Sequence, residues 1–167
     1  MDSGAAKGTV DAATPPVPNS RRVTFIRVGA RPDGPGEAKD WTCGFISEGT
    51  GQKQVALRGL GPSLQLADST GLLADPTLEL HLPDGSVVTN DNWRDNSPDD
   101  LAVLTTNQLN PPSDLESAIV ADLAPGAYTA ILRSKTNDPG VALIEGYDLQ
   151  SLSSSRFANI STRGLVQ

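Results

Sequence analysis

The sequence predicts an all-β fold, an antiparallel β-sandwich of jelly-roll type with about nine strands and one short helix. Short apolar runs alternate with turn residues at spacings of roughly 8–15 residues, as in sandwich and barrel proteins. The 167 residues include 16 Gly and 13 Pro, which indicates many turns. Aromatic residues make up only 4%, so the core has to be built mainly from aliphatic side chains.

The chain length fits a single domain. Residues 1–21 have the Ala, Thr, Pro and Gly content of a flexible linker or arm, and residues 22–167 are interpreted as one sandwich domain. The first twenty residues lack the basic and apolar regions of a signal peptide. We therefore expect either a protein that acts inside the cell or a segment of a longer precursor, and the linker-like composition favours the second.

Nine runs are strand candidates, and two of the connections between them have the composition of hairpin turns. EGTGQ follows the second run and PDGS follows the fourth. In the fourth run Leu78, Leu80 and Leu82 alternate with polar residues, which predicts one buried face. The runs are RVTFIRVG, WTCGFIS, QVALRGL, TLELHL, VVT, LESAIVADL, AYTAILRS, VALIEGYDL and RFANISTRGLVQ.

One helix is predicted in SPDDLAVLTTNQL. Ser97 is a candidate N-cap and Pro98 suits the first helical position. Asp99 and Asp100 would stabilise the positive end of the helix dipole. The following NPPSD is expected to end the helix.

Charge and cysteine content exclude several classes of function. The formal net charge is −7 and no cluster of Lys or Arg occurs, so nucleic acid is not an expected partner. No apolar run approaches the roughly 18 residues of a membrane span. Cys43 is the only cysteine, which excludes an internal disulfide. Its alternation with Trp41 and Phe45 predicts a buried, inert thiol.

Signals for catalysis are weak, so we expect a protein that is not an enzyme. His81 is the only histidine and lies on the polar side of its strand, which leaves no partner set for a catalytic triad or a zinc site. GLGPSL lacks the third glycine and the long helix of a dinucleotide site. Carboxylates are plentiful but aromatic residues are few, so a small carbohydrate-active enzyme is kept only as a second alternative.

The densest run of oxygen-bearing side chains is NDNWRDNSPDD, residues 90–100, here called the acidic loop. It does not fit the EF-hand template, but calcium takes six to eight oxygen ligands that can come from separate loops. Asp and Asn are also the commonest turn residues, so a solvated connection remains equally open. The candidate metal ligands are Asn90, Asp91, Asn92, Asp95, Asp114 and Glu116, and Trp93 is a candidate ligand contact.

An ordered set of short motifs resembles an uncharacterised repeat module of large bacterial extracellular proteins. The motifs are RGLGPSL, LADPTLELH, DG, NDNW, LESAI, LAPGAYTAIL, GVALIEGYDL and NISTRG, and the similarity covers roughly residues 41–166. More loosely, the stretch from LELHLPDG to LAPGAYTAIL resembles bacterial pre-peptidase C-terminal domains, which are non-catalytic calcium-binding sandwiches. This second resemblance implies calcium near Asp91, Asp95 and Glu116.

Together these features predict a non-catalytic, extracellular or cell-surface sandwich, calcium-stabilised, that serves as a recognition or spacer unit. Its partners would be other chains or neighbouring repeats, with glycans conceivable through Trp93. The tandem habit of the repeat module raises an alternative, a self-assembling fibre or shell subunit. There the terminal strand and the arm 1–21 would pair with neighbouring chains.

Overall fold

A computed structural model describes residues 21–23, 41–65, 71–150 and 154–163 of the chain. These residues form nine strands, one α-helix and one 3-10 turn at Trp93–Asp95. The strands are β1 Arg21–Val23, β2 Trp41–Glu48, β3 Lys53–Leu60, β4 Pro76–His81, β5 Val87–Asn90, β6 Ser117–Leu123, β7 Gly126–Ser134, β8 Leu143–Asp148 and β9 Arg156–Arg163, and the helix α1 is Pro98–Thr106.

The strands form two antiparallel sheets, which confirms the predicted all-β sandwich. One sheet has four strands in the order β1-β8-β3-β6, and the other has five in the order β5-β4-β7-β2-β9. Every strand pair in both sheets is antiparallel. Within the described residues, β5 and β9 are the edges of the larger sheet, and β1 and β6 are the edges of the smaller one.

The sequence prediction for one of the two hairpins is wrong. The connection EGTGQ does not join paired strands, because β2 pairs with β7 and β9 while β3 pairs with β6 and β8. The chain crosses from one sheet to the other at this point. Both strands alternate inward-facing apolar residues, and alternation specifies the buried face of a strand but not its neighbour.

The second hairpin is confirmed. β4 and β5 pair antiparallel, and the backbone N–H of Leu82 donates to the carbonyl of Ser86 at 2.9 Å. Gly85 has a φ of 86°, in the left-handed region that glycine adopts without steric cost. Asp84 fixes the turn by accepting hydrogen bonds from the backbone and the hydroxyl of Ser86 at 2.9 and 2.6 Å.

The main core lies between the two sheets and is mostly aliphatic. The thiol of Cys43 lies inside it, and burial raises its pKa to about 11. The rings of Phe45 and Tyr128 stack at 5.5 Å between centroids. Its other buried members are Trp41, Val55, Leu57, Leu73, Leu78, Leu80, Ile119, Leu123, Ala130, Leu132, Ala142 and Ile144.

The smaller sheet is covered on its outer face as well. Helix α1 and the chain on either side of it pack there and form a second cluster, which consists of Ala56, Trp93, Leu104, Leu109, Ala118 and Tyr147. As predicted, Ser97 caps the helix, accepting from the backbone N–H of Asp100 at 3.2 Å, with Pro98 in the first turn. A sheet covered on both faces explains why all six residues of β8 are buried.

The terminal strands pair within the same chain, β1 with β8 and β9 with β2. Residues 1–20 of the predicted arm lie outside the described residues, and so do residues 24–29 of the first strand candidate. None of the helices in the described ranges has the length and apolar character needed to cross a bilayer.

Two glycines allow neighbouring segments to approach closely. A Cβ at Gly59 would lie 2.3 Å from Cδ1 of Leu132, across the core. A Cβ at Gly61 would lie 2.2 Å from the carbonyl oxygen of Leu73. The contact at Gly61 is with backbone, so it cannot be relieved by a side-chain rotation.

Replacement of Gly61 by alanine is therefore expected to lower the free energy of unfolding by about 1 to 3 kcal/mol, the cost typical of overpacking. Urea denaturation of Gly61→Ala measures this. Gly51→Ala is the matched control, because its Cβ would meet nothing closer than the Ser154 hydroxyl at 3.4 Å. Equal stability of the two variants would contradict the close packing at Gly61.

Candidate functional site

The acidic loop connects β5 to α1 and lies along the outer edge of β6. The loop's backbone meets the residues that lead into that strand: the N–H of Trp93 donates to the carbonyl of Glu116 at 2.8 Å. Because β6 is an edge strand, the backbone groups on its outer side have no strand partner in the described part of the chain.

Two asparagines of the loop supply the missing partners at Ala118. Asn90 Oδ1 accepts from the Ala118 N–H at 2.9 Å, and Asn96 Nδ2 donates to the Ala118 carbonyl at 2.9 Å. Ala118 is fully buried. Unpaired backbone groups there would therefore cost about as much as lost hydrogen bonds. Asn90 and Asn96 are together called the asparagine clamp.

The amide of each clamp residue also fixes the loop itself. Asn96 Nδ2 donates to the carbonyl of Trp93 at 2.8 Å, and Asn90 Nδ2 donates to the carbonyl of Asn92 at 3.0 Å. Asn90 is thus held through both its amide oxygen and its amide nitrogen, and Asn96 through two hydrogen bonds donated by its amide nitrogen. Asn90, which the sequence proposed as a metal ligand, already uses its oxygen to hold β6.

Trp93 lies under the loop rather than on its surface. The residue is 6% exposed, and its indole Nε1 donates to the carbonyl of Ser113 at 3.1 Å. The guanidinium of Arg94 stacks over the ring at 4.4 Å from the centroid. Arg94 also forms an ion pair with the exposed Asp114. The indole face is therefore covered, and a ligand could reach it only if Arg94 moved aside.

Glu116 is fully buried and bound by donors from two segments. Its Oε1 accepts from the backbone N–H groups of Gly61 and Ser63 at 2.9 and 3.0 Å and from the Ser63 hydroxyl at 2.7 Å. Its Oε2 accepts from the N–H of Ser113 at 3.2 Å. A carboxylate with this many donors holds the loop after β3 to the start of β6. Binding a metal would require these bonds to break.

Asp91 and Asp95 of the loop lie near Lys135, the residue that follows β7. Asp91 forms an ion pair with Lys135, and Asp75 Oδ2 lies 3.8 Å from the same ammonium. The hydrogen bond that Lys135 donates to Asp91 raises the pKa of Lys135, and the charges of Asp75, Asp91 and Asp95 add to this rise. Lys135 thus occupies a place where a bound cation would also be attracted.

Two oxygens in this group carry no hydrogen bond. Oδ1 of Asp75 and Oδ1 of Asp91 are both buried and have no donor among the described residues. Nearby, Asn92 Nδ2 donates to Asp95 Oδ2 at 3.2 Å. Such unpaired carboxylate oxygens are costly unless a cation or water satisfies them.

The structure does not bring the six proposed ligands together. Three of them, Asp91, Asn92 and Asp95, are neighbours. Asp114 lies apart from these three and pairs with Arg94. Asn90 and Glu116 already accept hydrogen bonds from backbone N–H groups. In the described ranges no group of three or more His, Cys, Asp or Glu side chains is arranged to hold a metal ion.

Sequence reasoning missed Asp75 and Lys135. The signal that could have found them is strand pairing: Pro76 lies opposite Ser134 where β4 pairs with β7, so the residues just beyond, Asp75 and Lys135, are neighbours. The backbone N–H of Lys135 also donates to the carbonyl of Asp75 at 3.0 Å. Without the β4–β7 pairing, nothing in the sequence connects two residues sixty positions apart.

A buried ionic group lies on the outer face of the smaller sheet. Arg58 Nε donates to Glu145 Oε2 at 2.9 Å, and the Tyr147 hydroxyl donates to the same oxygen at 2.8 Å. Arg58 also donates to the Tyr147 hydroxyl and, at 3.3 Å, to the carbonyl of Leu109. The group therefore ties β3 and β8 to the chain that follows α1.

A second buried ion pair joins the ends of β3 and β8, where Lys53 Nζ lies 2.7 Å from Asp148 Oδ2. Both side chains are almost fully buried. Lys53 also donates to the carbonyl of Gln150 at 3.3 Å. A buried charge is tolerated only with a partner of this kind, so each of the two residues accounts for the burial of the other.

His81 lies on the open face of the larger sheet, as its strand position predicts. Its Nε2 is 2.9 Å from Glu79 Oε2, and Glu79 also pairs with Arg133 at 3.0 Å. The three side chains form a partly exposed surface network without a neighbouring nucleophile among the contacts described.

Comparison of the chain with protein-family models, with curated proteins and with solved structures returned no match. The resemblances that the sequence motifs suggest therefore stay predictions.

The asparagine clamp gives a direct test of the role of the acidic loop. Asn96→Ala removes the donor to the buried Ala118 carbonyl, so we expect a loss of about 1 to 3 kcal/mol in the free energy of unfolding. Asn92→Ala is the matched control, because the Asn92 amide donates only to carboxylates of its own loop. Urea denaturation compares the two, and a control as damaging as Asn96→Ala would contradict the clamp.

Proposed function

We propose that the chain is a non-catalytic β-sandwich module that serves as a recognition or spacer unit of a secreted or cell-surface protein. The supporting observation is that the charged residues buried as a whole, among those described, are held by partners that join strands or loops. Glu116 accepts from backbone donors, Glu145 pairs with Arg58, and Asp148 pairs with Lys53. This is the arrangement of a scaffold rather than that of an acid or base positioned for a substrate.

Location at the cell surface or outside the cell is part of the proposal. It is supported by the linker-like composition of residues 1–21. Surface modules are commonly joined by such linkers. A recognition role would use the loops that the scaffold positions, since binding residues are concentrated in loops on a rigid framework.

Stability measurements test whether the buried carboxylates are structural. Glu116→Gln and Glu145→Gln are each expected to lower the free energy of unfolding by about 1 to 3 kcal/mol, because hydrogen bonds to a charged acceptor are lost. Glu48→Gln is the control, since Glu48 is exposed and its recorded partner among the described residues is Arg156 at 3.4 Å.

The opposite result would support the enzyme alternative. Catalytic residues are often strained, and their replacement commonly raises stability while it removes activity. A Glu116 or Glu145 variant more stable than the parent, together with loss of turnover on a polysaccharide substrate, would therefore contradict a non-catalytic scaffold.

Calcium stabilisation is a separate part of the proposal and is supported by the two unpaired oxygens of Asp75 and Asp91. An ion there would compete with Lys135 for both carboxylates. Binding to the folded state alone would add about 2.7 kcal/mol at a hundredfold excess of calcium over its Kd.

Thermal unfolding in calcium and in EDTA measures this effect. We expect a higher melting temperature in calcium for the parent chain and for Asp114→Asn, whose carboxylate is exposed and pairs with Arg94. Asp91→Asn should lose the difference. If the parent melts at the same temperature in both conditions, Lys135 alone neutralises the group and calcium has no role, while the module function is unaffected.

The self-assembly alternative relies on the terminal strands. Here β1 hydrogen-bonds to β8 and β9 to β2 of the same chain. Exchange of either strand between chains would first require that pairing to open, so we do not advance this alternative.

A further inference from the structure

The strand β5 presents an uncovered sheet edge. Within the described residues it pairs only with β4. Val87 and Val88 are 45% and 40% exposed, and with Leu115 they are the large hydrophobic residues that the described part of the chain leaves exposed. Residues 86–90, SVVTN, contain no charge and no proline, the two features that usually protect an edge strand.

The hairpin geometry determines which backbone groups face outward. Leu82 and Ser86 form a hydrogen-bonded pair next to the turn. Hydrogen-bonded and non-hydrogen-bonded pairs alternate along an antiparallel ladder. Leu80 and Val88 are therefore the next hydrogen-bonded pair, and Val88 directs its N–H and carbonyl toward β4. Val87 and Thr89 consequently direct theirs away from the sheet.

The outward-facing N–H and carbonyl groups of β5 can pair with those of a second copy of the same strand. If a second β5 lies antiparallel with a two-fold axis at Val88, Val87 faces Thr89 of the second copy, and Thr89 faces Val87 of that copy. Both pairs consist of outward-facing residues, so both can exchange hydrogen bonds. The two Val88 residues then meet as a close non-hydrogen-bonded pair, on the side of the sheet that Leu80 also faces.

We propose that β5 is an interface for a second copy of this chain, paired edge to edge about a two-fold axis at Val88. The two five-stranded sheets would then form one continuous sheet. An uncharged strand is a suitable contact for a chain of net charge −7, because it brings no like charges directly opposite each other. The ion pair between Lys135 and Asp91 reduces the negative charge just beyond the strand.

The contact is short, so the dimer is expected to be weak. A four-residue strand buries less than the roughly 1,200 Å² of a stable interface. Disulfide trapping is the suitable experiment. At the two-fold axis the Cα atoms of the two Val88 residues would lie about 4.5 Å apart, within the range that a disulfide can bridge.

The experiment compares Val88→Cys with two controls under oxidised glutathione at physiological salt. Val87→Cys is equally exposed but faces Thr89 of the second copy, so its cysteines do not meet. Leu115→Cys tests random collision at an exposed position away from β5. Cys43 is buried and does not contribute. We expect covalent dimer from Val88→Cys at least about tenfold faster than from either control, since the pair is held in contact.

A second measurement does not depend on cysteine chemistry. Val88→Lys places two ammonium groups opposite each other at the axis and is expected to weaken dimerisation at least about tenfold in analytical ultracentrifugation, whereas Leu115→Lys leaves it unchanged. Thr89→Pro should weaken dimerisation as well, because it removes an outward N–H without removing a bond to β4. Circular dichroism checks that each variant folds.

Three results would overturn the proposal. The first is a chain that stays monomeric at the highest concentrations while Val88→Cys cross-links no faster than Leu115→Cys. The second is equal cross-linking of Val87→Cys and Val88→Cys, which would place the two strands in another register. The third is self-association that Val88→Lys leaves unchanged, which would place the contact elsewhere.

Discussion

The need to satisfy buried backbone groups at the edge of β6 determines how this end of the molecule is built. The smaller sheet is covered on both faces, so its edge strand lies at the boundary of two apolar clusters rather than in open water. The N–H and carbonyl of Ala118 cannot be left unpaired there. The asparagine clamp pairs both of these groups, and the nearby Glu116 holds the loop after β3. The position of the acidic loop follows from this requirement.

The same requirement explains why the amino-acid composition of the acidic loop does not by itself reveal the role of its side chains. Asparagine and aspartate supply the oxygen atoms that calcium uses, and they also supply the short, rigid hydrogen-bonding groups that replace a missing strand. The choice depends on what each side chain faces. For Asn90 that partner is Ala118, twenty-eight positions away, and for Asp91 it is Lys135. Neither partner is indicated by the loop's own residues.

Much of the fold was predictable because its signals are local. The alternation in TLELHL, the PDGS turn and the cap at Ser97 each depend on neighbouring residues, and each is confirmed. Predictions that depended on distant pairing were less secure. The EGTGQ connection has the composition of a hairpin turn, yet it crosses between sheets, since the partners of β2 and β3 are chosen by packing across the whole sandwich. Glu116 was correctly placed near the loop, but its donors at Gly61 and Ser63 come from a turn that the sequence does not connect to it.

The edge strands β5 and β6 differ in how far other parts of the described chain cover them. The edge of β6 is covered by the asparagine clamp, by Glu116 and by the backbone of the acidic loop. The strand β5 leads directly into that loop, and its own side chains are small and uncharged, with two exposed valines among them. The difference has a geometric origin. The asparagine clamp draws the chain leaving β5 toward β6, so the residues that protect one edge are carried away from the other. Within the described residues, the contacts that cover the edge of β6 thus leave β5 without a partner on its outer side. An antiparallel edge of this kind, with outward-facing N–H and carbonyl groups, is complementary to a copy of itself.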